Sequence, residues 1–341
     1  MTDKYIPTAD NPLRIGTRQS PLAMAQAQMT AAAIVAAHGL SKECVQLVPM
    51  LLVGDKVQDR PLAEIGGKAL WTKELERALA EREIDIAVHS MKDVETIRSA
   101  HFVVRAMLPR ADIRDRLIGA ASIDQLARGA RVGTSSPRRA AQLLNIRPDL
   151  NIVSLRGNVA TRLSKIANGE ADATLLAAAG LDRLGMADTG HAIEFTQMLP
   201  AASQGAVGID CLAERAEIAA LLDVINHAPT FEAVTAERLF LEALGGDCHS
   251  PVAAHARHIE GAQLKLSAAV YAADGSARLT GDIKMPVGDI AAPAQLAARL
   301  LADAPGAVKG LFAASGCSSF GQRQQPRTRL RWRCAWIWPP R

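Results

Sequence analysis

No stretch of this 341-residue chain is apolar for long enough to cross a bilayer. Runs such as Ala31 to Ala37 fall well short of the roughly 20 residues that a spanning helix needs. The first residues, Met1 to Pro12, are polar and include Asp3, Lys4 and Asp10, so the apolar core of a secretory signal is missing. Both absences predict a cytoplasmic location. Cysteine is scarce: Cys44, Cys211, Cys248, Cys317 and Cys334 make an odd number, and no pair has CxxC spacing. That argues against a disulfide framework and against a zinc site. His255 and His258 are three residues apart but have no third ligand nearby, so no metal is expected. Cys44 and Cys211 lie in apolar surroundings and read as core thiols.

Acid is missing from one region. Between Gly316 and Arg341 there are six Arg, no Asp or Glu, and three of the four Trp. The net charge of +4 therefore hides a body of about −2 (4 − 6), which does not favour general nucleic-acid binding. A basic tract with interleaved Trp has the composition to touch RNA or a membrane. It has equally that of a disordered or frame-shifted extension, and the expectation taken here is a disordered 315–341 tail.

Hydrophobic residues make up 49% and charged residues 22% of the chain, a balance suited to folded soluble domains. The length predicts two or three of them. Leu13 to Gly16 reads as a strand. Ser20 is an N-cap and Pro21 the first residue of a helix that runs to about His38 and stops at Gly39. Val45 to Val53 reads as a buried strand, Lys68 to Glu83 as an amphipathic helix, and Ile84 to His89 as another strand. After Pro109 the pattern restarts. Strands are expected at Leu117 to Ala120, Arg131 to Gly133, Asn151 to Leu155 and Ala171 to Leu176. Helices are expected at Ile123 to Arg128, Pro137 to Asn145, Val159 to Ala167 and Leu181 to Gly185. Leu199 to Gly208 reads as a return linker, followed by a strand at Val207 to Cys211 and a helix at Glu214 to Asn226. Such alternation implies parallel sheets with right-handed crossovers. From Pro229 the pattern changes: a helix at Phe231 to Leu244, three alternating strands with turns at Glu260-Gly261 and Asp274-Gly275, and a closing helix at Ile290 to Leu301.

The predicted organisation is two hinged α/β lobes plus a small α+β domain with a three-stranded antiparallel sheet. Residues 12–108 and 207–227 form a discontinuous first domain, 109–206 the second and 228–314 the third.

Six segments repeat one arrangement: small or polar residues at the end of a strand, then Arg or Lys at the mouth of a helix or in the loop before it. They are Gly16-Thr17-Arg18-Gln19-Ser20-Pro21, Gly66-Gly67-Lys68, His89-Ser90-Met91-Lys92-Asp93, Gly133-Thr134-Ser135-Ser136-Pro137-Arg138-Arg139, Ser154-Leu155-Arg156-Gly157-Asn158 and Gly180-Leu181-Asp182-Arg183. A helix start already carries about half a positive charge, so cations there are unfavourable unless an anion arrives. Ligands of open α/β sheets sit beyond the carboxyl ends of strands, where these segments fall. A polyanionic ligand is expected.

These segments, with Gly246-Asp247-Cys248, resemble the porphobilinogen deaminase (hydroxymethylbilane synthase) family in order and spacing from about Leu13 to about Phe312. The resemblance implies lobes like type II periplasmic binding proteins. It implies a transferase that joins four porphobilinogen molecules head to tail into hydroxymethylbilane with loss of ammonia, in tetrapyrrole and haem biosynthesis. It implies a monomer without nucleic-acid or membrane partners, and a dipyrromethane cofactor held by a thioether to Cys248. A thiolate suits attack on an electrophilic methylene, although taken alone Cys248 also reads as a buried loop cysteine.

By the same match, Lys68, Lys92, Thr134, Ser136, Arg138, Arg139, Arg156, Arg162 and Arg183 would hold the cofactor, and Arg18, Ser20, Arg156 and Arg162 the substrate. Guanidinium forks suit the acetate and propionate arms of pyrroles. Asp93 is the candidate catalytic carboxylate, placed to stabilise the azafulvene-like cation left when ammonia departs; a simple ion pair with Lys92 is the alternative. Arg110, Arg114 and Arg116 read as hinge or surface residues. Glu64, Trp71, Pro137 and Ser203 depart from common family residues. The competing class is a non-catalytic two-lobed anion-binding module, which explains the basic helix mouths but not Cys248 on a third domain.

Overall fold

The computed structural model describes residues 5–50, 72–247 and 249–313. Lys68, Glu64, Trp71, Cys248 and the 315–341 tail lie outside the described residues.

Strand β1 (Leu13–Arg18) leads into helix α1 (Pro21–His38). The Ser20 side chain accepts from the Ala23 N–H, Pro21 sits in the first turn, and Gly39 closes the helix at φ 62°. Ala23, Ala27, Thr30 and Ile34 recur at helical spacing and form its buried stripe. Next come β2 (Val45–Met50), α2 (Lys73–Ala80), β3 (Ile86–Ser90) and β4 (Phe102–Met107). The chain then enters a second sheet through β5 (Asp115–Ile118), β6 (Arg131–Gly133), α3 (Pro137–Ile146), β7 (Asn151–Val153), α4 (Val159–Ala167), β8 (Ala173–Ala177), α5 (Ala178–Arg183) and β9 (His191–Ala192). It returns along β10 (Val207–Leu212) and α6 (Ala216–Asp223). A third part follows: α7 (Ala228–Ala243), β11 (Val252–Ile259), β12 (Gln263–Tyr271), β13 (Arg278–Pro286), α8 (Ala292–Ala302) and α9 (Gly306–Ala313).

Two five-stranded sheets, ordered β2-β1-β3-β10-β4 and β7-β6-β8-β5-β9, make the two α/β lobes, and β11-β12-β13 is a separate antiparallel sheet. Each sheet carries its own apolar core: Leu13, Ile15, Val88 and Ile209 in the first, Leu117, Val132 and Leu175 in the second, Phe240, Leu266 and Leu296 in the third.

The lobes are mixed rather than purely parallel. β10 runs antiparallel to β3 and β4, and β5 runs antiparallel to β8. The cause is the double crossing: β4 leads out of the first sheet and β10 comes back beside it, so the pair must oppose. Other expectations also change. The strand at Val45 is a half-buried edge strand. Ile123 to Arg128 forms turns, closed by Leu126 N–H donating to the Ile123 carbonyl at 3.3 Å; so short a segment does not repay helix nucleation. The helix expected at Leu181 begins at Ala178. β4 and α9 were not anticipated.

Of the two readings offered for Arg110, hinge or surface, the structure takes the hinge. Arg110 forks onto Glu237 of α7 at 2.7 and 2.9 Å. Glu237 is 0% exposed and also accepts from the Ser203 N–H (2.7 Å) and the Ala256 N–H (2.8 Å). One carboxylate thus ties the outgoing crossing, the return crossing and the third sheet together. Ser203 holds φ 66° to reach it, a conformation that costs a non-glycine residue about 1 kcal/mol or more.

Breaking a buried pair by neutralising one partner typically costs about 3–5 kcal/mol. Glu237→Gln is therefore expected to lower unfolding stability by about that amount in urea titration. A midpoint and slope equal to the parent's would contradict the role given to this carboxylate.

Candidate functional site

The Arg18, Ser20 and Asp93 side chains line one pocket of about 70 Å³, together with Gln26, Thr72, His89 and Ser90. The helix geometry explains the placement. Ser20 is fixed by capping α1, and Gln26, six residues further on, exchanges two hydrogen bonds with Ser90 at 2.8 and 3.1 Å. Ser90 ends β3, and a single 3-10 turn, Met91–Asp93, follows it. Met91 is fully buried and Asp93 is exposed, so the turn pins its first residue in the core and presents its last to the pocket.

A second mouth opens at α3. Ser136 caps it by accepting from the Arg139 N–H, and Thr134 Oγ1 accepts from the Ser136 N–H at 3.1 Å. Arg138 and Arg139 are buried side by side. Each donates to a different oxygen of Asp115 at 2.7 Å. Their other nitrogens reach the carbonyls of Leu199 (2.7 Å) and Leu175 (2.9 Å). Gln204, on the return crossing, completes the group by donating to Asp115 at 2.9 Å and to the Ile113 carbonyl at 2.7 Å. Burial alone would raise the Asp115 pKa, but the two guanidiniums overcome it and hold the carboxyl well below the usual range. Asp115 and Gln204 escaped the sequence reading, since neither stands in a motif.

Between the mouths, the electrostatics join the two lobes. Burial pushes the Lys92 ammonium below its ordinary range; Asp93 acts against this, and Arg139 and Arg162 add to it. Burial likewise pushes Arg162 down to about 10, reinforced by Arg139 and opposed by Asp93. Lys92 and Asp93 follow β3 of the first lobe, whereas Arg139 and Arg162 begin helices of the second. Arg162 Nε donates to the Gly157 carbonyl at 3.0 Å, and Arg156 lies half-buried just after Leu155. Arg183 donates to the Gly205 carbonyl at 2.6 Å, so it sits against the return crossing. The structure therefore brings Lys92, Asp93, Arg139 and Arg162 within electrostatic reach of one another. Arg18 and Ser20 share the pocket with Asp93.

The loop around residue 248 approaches the same region. Asp247 N–H donates to Ser250 Oγ at 3.0 Å, His249 N–H donates to Asp247 Oδ1 at 2.9 Å, and Thr96, just past the Asp93 turn, donates to the Gly246 carbonyl at 3.5 Å. Among the described residues no three His, Cys, Asp or Glu side chains are grouped to hold a metal. The donor set suits an oligocarboxylate: several guanidiniums and one ammonium face two carboxylates, and the buried Nε atoms of Arg138, Arg139 and Arg183 have no hydrogen-bond partner among the described residues.

A family model described as the dipyromethane cofactor binding domain of porphobilinogen deaminase matches residues 13–220. A second, its C-terminal domain, matches residues 231–304. The chain belongs to the porphobilinogen deaminase family. A porphobilinogen deaminase of Sphingopyxis alaskensis is 59% identical over 312 residues, spanning 90% of this chain and 98% of that protein. One from Paracoccus denitrificans is 48% identical over 290 residues, spanning 84% of this chain and 92% of that protein. A solved periplasmic aliphatic sulphonate binding protein from Escherichia coli overlays with a TM-score of 0.38 at 14% identity, over 68% of this chain and 70% of that one; an overlay that loose carries no argument.

Because the folded pKa of Asp115 lies below its unfolded value of about 3.9, its contribution to stability is complete above that pH and is lost as pH falls below it. Asp115→Asn is expected to cost about 3–5 kcal/mol at pH 7 by leaving two buried guanidiniums uncompensated, and to flatten the stability loss between about pH 4 and pH 2. Denaturant titration across that pH range reads both effects; an unchanged profile would contradict the pairing.

Proposed function

We propose that this protein is a transferase that joins four porphobilinogen molecules head to tail into hydroxymethylbilane, releasing ammonia at each step, for tetrapyrrole and haem biosynthesis. It does so as a cytoplasmic monomer. Residues 12–108 and 207–227 act as one lobe, 109–206 as the other, and 228–314 carry Cys248, with 315–341 as an accessory tail. Dipyrromethane, bound as a thioether to Cys248, supplies the free pyrrole carbon to which the first substrate is joined. Lys92, Arg138, Arg139, Arg156, Arg162 and Arg183, with Lys68, Thr134 and Ser136 at the loop and helix mouths, hold its acetate and propionate arms. Arg18 and Ser20, with Arg156 and Arg162, orient the incoming substrate.

The observation that carries this reading is the position of Asp93. It lines the pocket with Arg18 and Ser20 and is the strongest negative influence on both Lys92 and Arg162. A substrate whose carboxylates pair with Arg18 presents its ring N–H toward this carboxylate. As the aminomethyl C–N bond breaks, its electron pair leaves with nitrogen, which takes up a proton to depart as ammonia. Positive charge spreads onto the ring and its N–H, where the Asp93 carboxylate accepts a hydrogen bond. The surrounding cations would otherwise oppose that charge, so a single well-placed anion has a large effect. After the new C–C bond forms, Asp93 is also placed to take the proton lost from the attacked ring carbon.

Supplied with porphobilinogen, the purified protein is expected to release ammonia and a linear tetrapyrrole. Asp93→Asn is expected to keep the parent's circular dichroism and melting temperature while turnover falls about 100-fold or more. Near-normal turnover of that variant would remove Asp93 from the role.

A further inference from the structure

Arg238, on the third part of the chain, reaches across to the turn that carries Asp93. Its side chain is buried and leaves α7 toward the first lobe. One terminal nitrogen donates to the Val94 carbonyl at 2.9 Å and the Met91 carbonyl at 3.2 Å, and the other donates to the Glu95 carbonyl. The Met91 carbonyl belongs to the first residue of the 3-10 turn Met91–Asp93, and the Val94 and Glu95 carbonyls lie just beyond its C-terminal end. The turn itself closes only one backbone hydrogen bond there, from the Val94 N–H to the Met91 carbonyl at 3.3 Å. Carbonyls at such an end need partners when they are buried, and a cation is favoured there by the local dipoles.

We infer that Arg238 is a positioning residue for the proposed reaction: its fork fixes the Met91–Glu95 backbone and so sets where the Asp93 carboxylate stands. From beneath, Met91 packs so closely on Gly208 of β10 that a Cβ there would collide with its sulfur. Gripped between β10 below and Arg238 from the side, the turn has little freedom to rotate. Burial and the neighbouring Arg98 press the guanidinium down to about 9, against Asp210 and Glu242, and it stays charged at neutral pH. Arg98 is itself committed to Asp210 (2.6 Å) and Glu76 (2.9 Å). Two further features make the contact more than local glue. The same helix, α7, runs on into the Gly245-Gly246-Asp247 loop beside residue 248. Thr96, directly after the gripped carbonyls, donates to the Gly246 carbonyl. Arg238 therefore sets the separation between the Asp93 turn and the loop that bears Cys248. A lysine at this position has no planar fork to span three carbonyls.

This inference rests on the assignment of Asp93 above. The test measures kcat and KM for Arg238→Gln and Arg238→Lys, each in the parent and in the Asp93→Asn background. Melting temperature and intact mass are recorded for every variant. In the parent background Arg238→Gln is expected to lower kcat about 10- to 100-fold, the range that follows from misplacing a reacting group by up to about 1 Å. KM should stay within about twofold, the split expected when only transition-state placement is lost, and Arg238→Lys should recover part of the loss. In the Asp93→Asn background neither change should lower turnover further. Unchanged kcat in folded Arg238→Gln overturns the inference, as do losses that multiply with Asp93→Asn, since a merely structural arginine acts independently. If the Gln variant fails to fold, Arg238→Lys carries the same comparison. Normal turnover of Asp93→Asn alone would contradict the assignment of Asp93, and this inference with it. Multiplying losses with a crippled Asp93→Asn contradict the positioning alone.

Discussion

Two arginines share one buried aspartate where the lobes meet, and much of the molecule is arranged around that imbalance. Arg138 and Arg139 stand at the positive end of α3, each 2.7 Å from Asp115. One carboxylate can neutralise one guanidinium, so the junction keeps an excess of positive charge in a region that water hardly reaches. Folding tolerates this because the Leu199 and Leu175 carbonyls and Gln204 take up terminal guanidinium donors, while each Nε has no partner among the described residues. Function uses it because an oligocarboxylate brings the anions that the protein withholds. The same logic explains why Arg139 and Arg162 both press the Lys92 ammonium down, and why Arg139 presses Arg162 down in turn. Cations that repel one another are a store of interaction for a ligand rich in acetate and propionate groups.

The third part of the chain works from the opposite side. Adjacent residues of α7 do different jobs. Glu237 faces the crossings and accepts from Arg110, Ser203 and Ala256, while Arg238 faces the turn of Asp93. The helix that leads to the cysteine loop is thereby locked to both strands of the interlobe connection and to the Met91–Asp93 turn. Contact with the second lobe comes through α3: Tyr271 donates to Gln142 at 3.2 Å, and Ala141 packs with Ala253 and Ala269. A ligand tethered to the third part thus sits on a platform that touches both walls of the cleft.

Local features were legible in the sequence. Ser20, Pro21 and Gly39 announced α1, Pro137 announced α3, and Gly261 and Gly275 announced the turns of the third sheet, because caps and turns depend on neighbouring residues. Of the six basic segments, five lie among the described residues; four of these put their cation at or just before a helix or 3-10 turn, whereas Arg183 closes α5. The unread part is what depends on distant partners. Asp115 looks like one acid in an Arg-rich stretch, and its importance appears only when residues 138 and 139 fold back onto it. Arg238 looks like an ordinary helix arginine until its buried carbonyl partners are seen. The antiparallel return of β10 follows from the double crossing, which strand-by-strand patterning does not encode. β4 was missed because Arg105 interrupts its apolar run, and Ile123 to Arg128 was misread because its apolar spacing imitates a helix too short to stand.

The central claim is that this basic cleft surrounds an oligopyrrole tethered at residue 248. Intact-protein mass spectrometry of active enzyme, beside Cys248→Ser, tests it most directly. The account predicts that the parent is heavier than its chain by one dipyrromethane and that the variant has the bare chain mass and no turnover. Active protein at the bare mass of the polypeptide would contradict it.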